Sequence, residues 1–142
     1  MRLGSAEIYG ALQSLPSVRD SLAIGVDLPD GEYYLPLFVV LADGVDLDQN
    51  LCGSIVCAIR EHASPRHVPD EILAVPALPI THAGKKIEVP IKRLFAGVDP
   101  SKVERGALAN PDALDWFVEQ ARRFRGNRDA RIVDHEHVRA SD

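Results

Sequence analysis

Two apolar runs separated by a turn constrain this chain more than any other feature. Val18, Asp20, Leu22, Ile24 and Val26 fall on one side of an extended segment, Leu28-Pro29-Asp30-Gly31 carries turn chemistry, and a second run extends from Tyr33 to Leu41. An alternating run, Pro-Asp-Gly turn chemistry and a second apolar run in succession predict an antiparallel hairpin. Pro36 lies inside the second run, where it has no N–H to give to a ladder, so it faces an unpaired edge or marks a bulge.

The helical segments have stripes that fit against such a sheet. Leu47, Leu51, Ile55 and Ile59 repeat at four-residue spacing, with Asp46 and Gln49 as a capping box ahead of them and Ser64-Pro65 as the stop. Ser5 caps an earlier short helix whose face is Ile8, Leu12 and Leu15, ended by Pro16. A third strand follows from Glu71 to about Val75, in an apolar run that reaches Leu78. Pro90 to Phe95 forms a short helix ended by Gly97, and 98–109 is a connector without period. Asn110-Pro111 caps and starts the last helix, which buries Leu114, Phe117, Val118 and Ala121 and carries Arg122, Arg123 and Arg125 at its end, where the dipole favours cations. The prediction is an α+β domain over 1–125, a small sheet of about three main strands with an antiparallel hairpin and helices packed against it. Residues 126–142 mix charges without periodicity and read as a mobile polar tail.

Between the third strand and the short helix lies Pro79-Ile80-Thr81-His82-Ala83-Gly84-Lys85-Lys86-Ile87-Glu88. Gly84 tolerates a positive φ, so a tight bend there can thrust the lysines outward. From the residues alone such a turn is ordinarily just solvated. A nucleotide P-loop is excluded, because that motif needs a glycine where Pro79 stands and Ser or Thr where Lys86 stands.

Composition narrows the function classes. A chain of 142 residues, 46% hydrophobic, can bury a core without metal or disulfide staples. With 21 acidic against 16 basic residues, the net charge of −5 argues against a nucleic-acid partner. Cys52 and Cys57, five apart in a helical pattern, suit neither a zinc knuckle nor a redox pair and read as buried thiols of a reducing compartment. No apolar run has the length of a membrane span, and no signal-peptide profile follows Met1, so a cytoplasmic protein without a membrane partner is expected. His135-Glu136-His137 on a polar tail makes a poor metal site, and no metal is expected there. Tyr33, Tyr34, Trp116 and Phe117 read as core rather than as a ligand platform.

The run Pro-x-Thr-x-x-Gly-Lys resembles the carboxy-terminal lysine motif of the adenylate-forming acyl-CoA synthetases, the superfamily that includes luciferases and peptide-synthetase adenylation domains. Three further stretches resemble the acetoacetyl-CoA synthetase branch: Arg2-Leu3-Gly4-Ser5-Ala6-Glu7-Ile8-Tyr9, Ser64-Pro65-Arg66-His67-Val68-Pro69-Asp70-Glu71, and the segment from Arg105 to Phe117. The resemblance spans residues 2 to about 124 and implies the mobile carboxy-terminal lid domain of such an enzyme. Lys85 matches the lysine that bridges carboxylate and phosphate oxygens during adenylation; Lys86 does not match it. A compact ammonium there would act as a cation, not a base. Gly4 matches a segment near the pantetheine arm of CoA, and Arg2 an arginine facing the nucleotide phosphate. Arg60 stands where related enzymes direct an arginine at the CoA 3′-phosphate. From position alone, Arg2 is equally a frayed terminal residue and Arg60 the solvated end of an amphipathic helix. Arg66 and His67 could add positive potential.

The sequence contains no Ser/Thr/Gly-rich ATP loop and no acyl pocket, and lacks the hinge residue expected before Arg2. The resemblance therefore implies a piece of an enzyme: an expressed fragment, a split gene or a gene remnant. Its partner would be an amino-terminal adenylation domain, in cis or as a separate chain. Acetoacetate, ATP (with Mg²⁺) and CoA would be substrates of the complete enzyme, with none bound tightly by this chain alone. The rival reading is a noncatalytic interaction module, or a CoA- or nucleotide-binding module.

Overall fold

The hairpin expected from residues 18 to 41 forms. In the computed structural model, which describes residues 5–28 and 31–140 and side chains as far as 126, β1 (Val18–Ala23) pairs antiparallel with β4 (Pro36–Leu41). Beyond them β2 (Val26–Asp27) pairs antiparallel with β3 (Tyr33–Tyr34), in the same register. The Gly31 N–H donates to the Leu28 carbonyl at 3.0 Å to close the reversal, while Pro29 and Asp30 lie outside the described residues.

Pro36 occupies neither an edge nor a bulge. It opens β4, the central strand of a sheet ordered β1-β4-β5. Its carbonyl accepts from the Ile24 N–H at 3.3 Å, but the ring nitrogen has nothing to donate, and the ladder is interrupted at Gly25 and Leu35. The Leu35 N–H goes instead to Asp70 Oδ2 at 2.8 Å, and the Asp70 N–H returns to the Leu35 carbonyl at 2.8 Å. That reciprocal pair delivers the chain into β5 (Glu71–Ala74), which runs parallel to β4.

Alternation along β4 divides the core into two faces. Leu37 and Val39 are buried against α1 (Ser5–Leu12) and α2 (Gln49–His62), among Ile8, Leu12, Ile55 and Ile59. Phe38 is buried on the opposite face against α3 (Glu88–Ala96) and α4 (Asp112–Ala140), among Ile91, Phe95, Leu114 and Phe117. The Phe38 ring meets Phe117 edge-on at 4.8 Å between centroids, so the central strand and the last helix are joined by an aromatic contact as well as by buried area. The result is the small α+β domain expected, with helices on both sides of the sheet. No helix among the described residues is long and apolar enough to cross a membrane.

Several local expectations are corrected. The register shifts between Val18 and Asp20, so Val18 packs toward α1 and α2 while Leu22, Ile24 and Val26 face the other side. Asp48, not Asp46, caps α2, accepting from the Leu51 N–H at 2.8 Å. Ser5 is the first residue of α1 rather than a cap ahead of it, and its hydroxyl donates to Glu88. Strand β5 stops at Ala74, and its residues are only half-buried or exposed, as befits an edge. Both thiols are free and neither is buried: Cys52 is partly covered and Cys57 is exposed. Tyr33 is exposed, whereas Tyr34 and Phe117 are core and Trp116 packs beside them. The helical backbone of α4 does not stop near Arg125 but continues through Gly126 to Ala140. Arg122 and Arg123 are therefore not at its end, and both pair with Glu119, at 2.7 and 3.4 Å. The side chains of His135, Glu136 and His137 lie outside the described residues.

Candidate functional site

The lysine-bearing stretch is itself a small hairpin. Ile80 and Lys86 form an antiparallel bridge, and the Thr81 N–H donates to the Lys85 carbonyl at 2.8 Å. Gly84 turns the chain at φ 81°, a left-handed conformation that a side chain would strain, and its N–H donates to the Thr81 carbonyl at 2.8 Å. Thr81 Oγ1 then accepts from the Lys85 N–H at 3.2 Å. The threonine and glycine of the motif thus have one shared purpose: they fix the backbone on both sides of Lys85.

Residues more than twenty positions later hold the entering leg. The Asn110 amide forks onto it, Oδ1 accepting from the Ile80 N–H at 2.9 Å and Nδ2 donating to the Leu78 carbonyl at 2.8 Å. Sequence spacing suggested that Asn110 caps α4, but its side chain is spent here. The Ala109 N–H adds a bond to the Ile80 carbonyl at 2.9 Å, and His82 Nε2 donates to the Gly106 carbonyl at 3.0 Å. The exiting leg is tied to the other end of the domain. Lys86 Nζ lies 2.9 Å from Asp20 Oδ1 and 4.0 Å from the centroid of the Tyr9 ring. Glu88 accepts from the Tyr9 hydroxyl at 2.7 Å and from Ser5 Oγ at 3.0 Å. Burial pushes the Tyr9 phenol above the ordinary tyrosine range, and the Glu88 carboxylate beside it adds to the shift.

The two lysines consequently have different fates. Lys86 is half-covered and engaged, while Lys85 is exposed, with no carboxylate partner for its ammonium among the described residues. An apolar groove of 310 Å³ runs beside the hairpin, lined by Ile87, Leu94, Val103 and Leu108, with Arg93, Lys102 and Glu104 also contributing. The flank of the lysine site is thus apolar with charges of both signs at its margin.

The remaining candidates are not gathered around Lys85. Arg60 is exposed in the last turn of α2, on the opposite face of the sheet from α3, which the lysine hairpin enters. Arg2 and Gly4 lie outside the described residues. Arg66 is exposed, and His67 links Ser64 Oγ, at 2.7 Å, to Glu7 Oε2, at 3.2 Å, so it joins the break after α2 to α1. Thr81, Asn110, Tyr9 and Glu88 were not singled out as site residues from sequence. Only the position of Thr81 in the motif gave a signal, because the other three act across long sequence separations.

Comparisons with known proteins agree with this architecture. Residues 7–85 match the family described as AMP-binding enzyme C-terminal domain. Acetoacetyl-coenzyme A synthetase of Rhizobium meliloti is 43% identical over 118 residues, covering 83% of this chain and 18% of the relative. Malonamoyl-CoA synthetase vrtB of Penicillium aethiopicum is 38% identical over 124 residues, covering 85% of this chain and 17% of the relative. The structure of acetoacetyl-CoA synthetase from Streptomyces lividans superposes with a TM-score of 0.79 at 48% identity, covering 87% of this chain and 18% of that one. The chain spans less than a fifth of the length of these relatives. With its matched residues reaching from α1 to the lysine turn, the chain belongs to the AMP-binding enzyme C-terminal domain family and has acetoacetyl-CoA synthetases among its relatives.

Proposed function

We propose that this chain is the lid domain of an acetoacetyl-CoA synthetase, bringing Lys85 to the adenylation step and a CoA-side face to the thioester step. The observation that carries the reading is the divergence of the two lysines: Lys86 is held by Asp20 and Tyr9, while Lys85 stands exposed on a turn braced from both sides. A cation presented in this way is suited to a pocket supplied by another domain. In the first half-reaction a carboxylate oxygen of acetoacetate attacks the α-phosphorus of ATP, held with Mg²⁺, and pyrophosphate leaves. Negative charge gathers at that centre, and the Lys85 ammonium would offset it without proton transfer. In the second, the CoA thiol attacks the acyl carbon and AMP leaves, with Arg2, Gly4 and Arg60 proposed to face the nucleotide and CoA.

The partner is an amino-terminal adenylation domain, in the same polypeptide or as a separate chain. Acetoacetate rather than another small acyl group is favoured by the acetoacetyl-CoA synthetases among the relatives, although the acyl pocket would belong to that partner. An exposed free Cys57 fits a reducing compartment such as the cytoplasm. The test mixes this chain with an acetoacetyl-CoA synthetase lacking its lid and follows acetoacetate-dependent release of pyrophosphate. Each component alone should stay at background, because a catalytic cation without positioned substrates has no proximity advantage, and the mixture should turn over. Turnover by the purified chain alone would overturn the reading. Binding to the lidless enzyme without turnover would favour the noncatalytic interaction module instead.

A further inference from the structure

We propose that Glu88 is a positioning residue for Lys85, locking the exiting leg of the lysine hairpin to α1 and β1. The inference rests on the reading of Lys85 as the adenylation cation and adds a residue to it.

Glu88 lies three residues beyond Lys85, as the first residue of α3. Among the described residues its carboxylate is satisfied without a salt bridge. Ser5 Oγ lies 3.0 Å from one oxygen and 3.2 Å from the other, and the Tyr9 hydroxyl donates to the first at 2.7 Å. The Tyr9 oxygen in turn accepts from the Ala23 N–H at 3.0 Å, which carries the connection into β1. Position at the start of α3 favours the negative charge through the helix dipole, and a charged acceptor strengthens both hydroxyl bonds. Lys86 completes the assembly from between, over the face of the same Tyr9 ring.

The hairpin therefore has two moorings. Asn110 holds the entering leg at Leu78 and Ile80, and Glu88 holds the exiting leg. Lys85 sits between them. Without the second mooring the turn could swing about the first, and displacement of a reacting group by about an ångström is enough to cost large factors in rate. The placement of α1 does not depend on Glu88 in the same way, because Ile8, Ala11 and Leu12 are buried against the α2 side of the sheet. Loss of Glu88 should hence reach the step that uses Lys85 and spare the step that uses the α1 edge.

The experiment measures both half-reactions, and the melting temperature, in the complete synthetase carrying this domain. Adenylation is read as acetoacetate-dependent pyrophosphate exchange, and thioester formation from preformed acetoacetyl-adenylate and CoA. Glu88→Ala should lower the kcat of adenylation at least about tenfold, with KM for ATP and acetoacetate within about twofold and thioester formation likewise. Glu88→Gln should keep most of the activity, because an amide oxygen still accepts from both hydroxyls. Tyr9→Phe, which keeps the ring and removes the shortest bond, should give a smaller loss with the same selectivity, and it decides the matter if Glu88→Ala does not fold. The Lys85→Ala, Glu88→Ala double variant should be no slower than Lys85→Ala alone, since Glu88 acts only through Lys85. Equal losses in both half-reactions, or a double variant slower than Lys85→Ala, would overturn the inference. If Lys85→Ala lowers adenylation but neither Glu88→Ala nor Tyr9→Phe does, the positioning role falls and the function stands. If Lys85→Ala leaves adenylation intact, the function itself falls.

Discussion

The ammonium of Lys86 stands 2.9 Å from Asp20 Oδ1, which makes the second lysine of the turn a strut between the hairpin and β1. Its neighbour Lys85 points to solvent. One residue of separation on an extended leg sends side chains to opposite sides, so the same backbone geometry that engages one lysine releases the other.

Replacing the released lysine should therefore have a selective effect. In the complete synthetase, Lys85→Ala should slow adenylation at least about 10²-fold, the loss typical of removing one preorganised electrostatic contact. Thioester formation from preformed acetoacetyl-adenylate should stay near the parent rate. Lys86→Ala should cost adenylation far less than Lys85→Ala does and leave thioester formation near the parent rate, because it loses a partly exposed ion pair worth at most about 1 kcal/mol of stability. Assaying the half-reactions separately checks this: equal losses for Lys85→Ala, or a larger adenylation loss for Lys86→Ala, contradict the assignment.

Asn110→Ala removes a side chain that satisfies two backbone groups at once, the Ile80 N–H and the Leu78 carbonyl. Leu78 is buried, and its carbonyl would be left without this partner. Urea unfolding of the chain should show a loss of about 1 to 3 kcal/mol, the cost of stranding such groups. Asn110→Asp should restore the bond to the Ile80 N–H but not the one from the amide nitrogen, and so fall between the two.

Alkaline stability should depend on Tyr9 and Tyr34. Burial raises the pKa of both Tyr9 and Tyr34, each further raised by a carboxylate neighbour, Glu88 at 2.7 Å and Glu71 at 3.2 Å. In the unfolded chain a tyrosine loses its proton near pH 10. Because the folded values lie higher, the stabilisation is complete below about pH 10 and is lost as the pH rises from there toward the folded values. Unfolding free energy measured between about pH 9 and 11.5 should fall with a slope that Tyr9→Phe or Tyr34→Phe reduces. An unchanged slope in both variants would contradict the assignment.

Residues 127–142 are proposed to contribute little to the core. The described buried residues of α4 end at Ala121, with Phe124 stacking on Tyr34 at 4.4 Å between centroids. A chain ending at Gly126 should melt within a few degrees of the parent. A drop of more than about 4 to 8 °C, the shift that roughly 1 kcal/mol produces in a small domain, would show that the segment is anchored.

The parts of the fold legible in the sequence are those set by local period. The 18–41 hairpin, the Ile55 and Ile59 stripe and the Gly97 stop of α3 all follow from spacing and turn chemistry. Prolines and caps were harder, because one residue type suits several local roles and tertiary partners decide among them. Pro36 was confined to edges and bulges by rule, yet it opens a central strand where Asp70 supplies the missing continuity. Asn110 reads as a cap from its neighbours, and only the folded chain offers it a better use. At the site, the turn around Lys85 was readable through Gly84. The separate fates of Lys85 and Lys86 were not readable from their spacing, since they depend on Asp20 and Tyr9, more than sixty residues earlier.

The recognisable family segment ends on Lys85, but the scaffolding that holds that residue does not. Asn110 reaches back from beyond two further turns to hold the hairpin, so everything between α3 and α4 serves as a buckle for a belt fastened at Leu78 and Ile80. A transplant guided by the motif alone would carry the lysine and leave the buckle behind. Exchange between synthetases should preserve residues 78–110 as one piece, together with the Ser5 and Tyr9 contacts to Glu88.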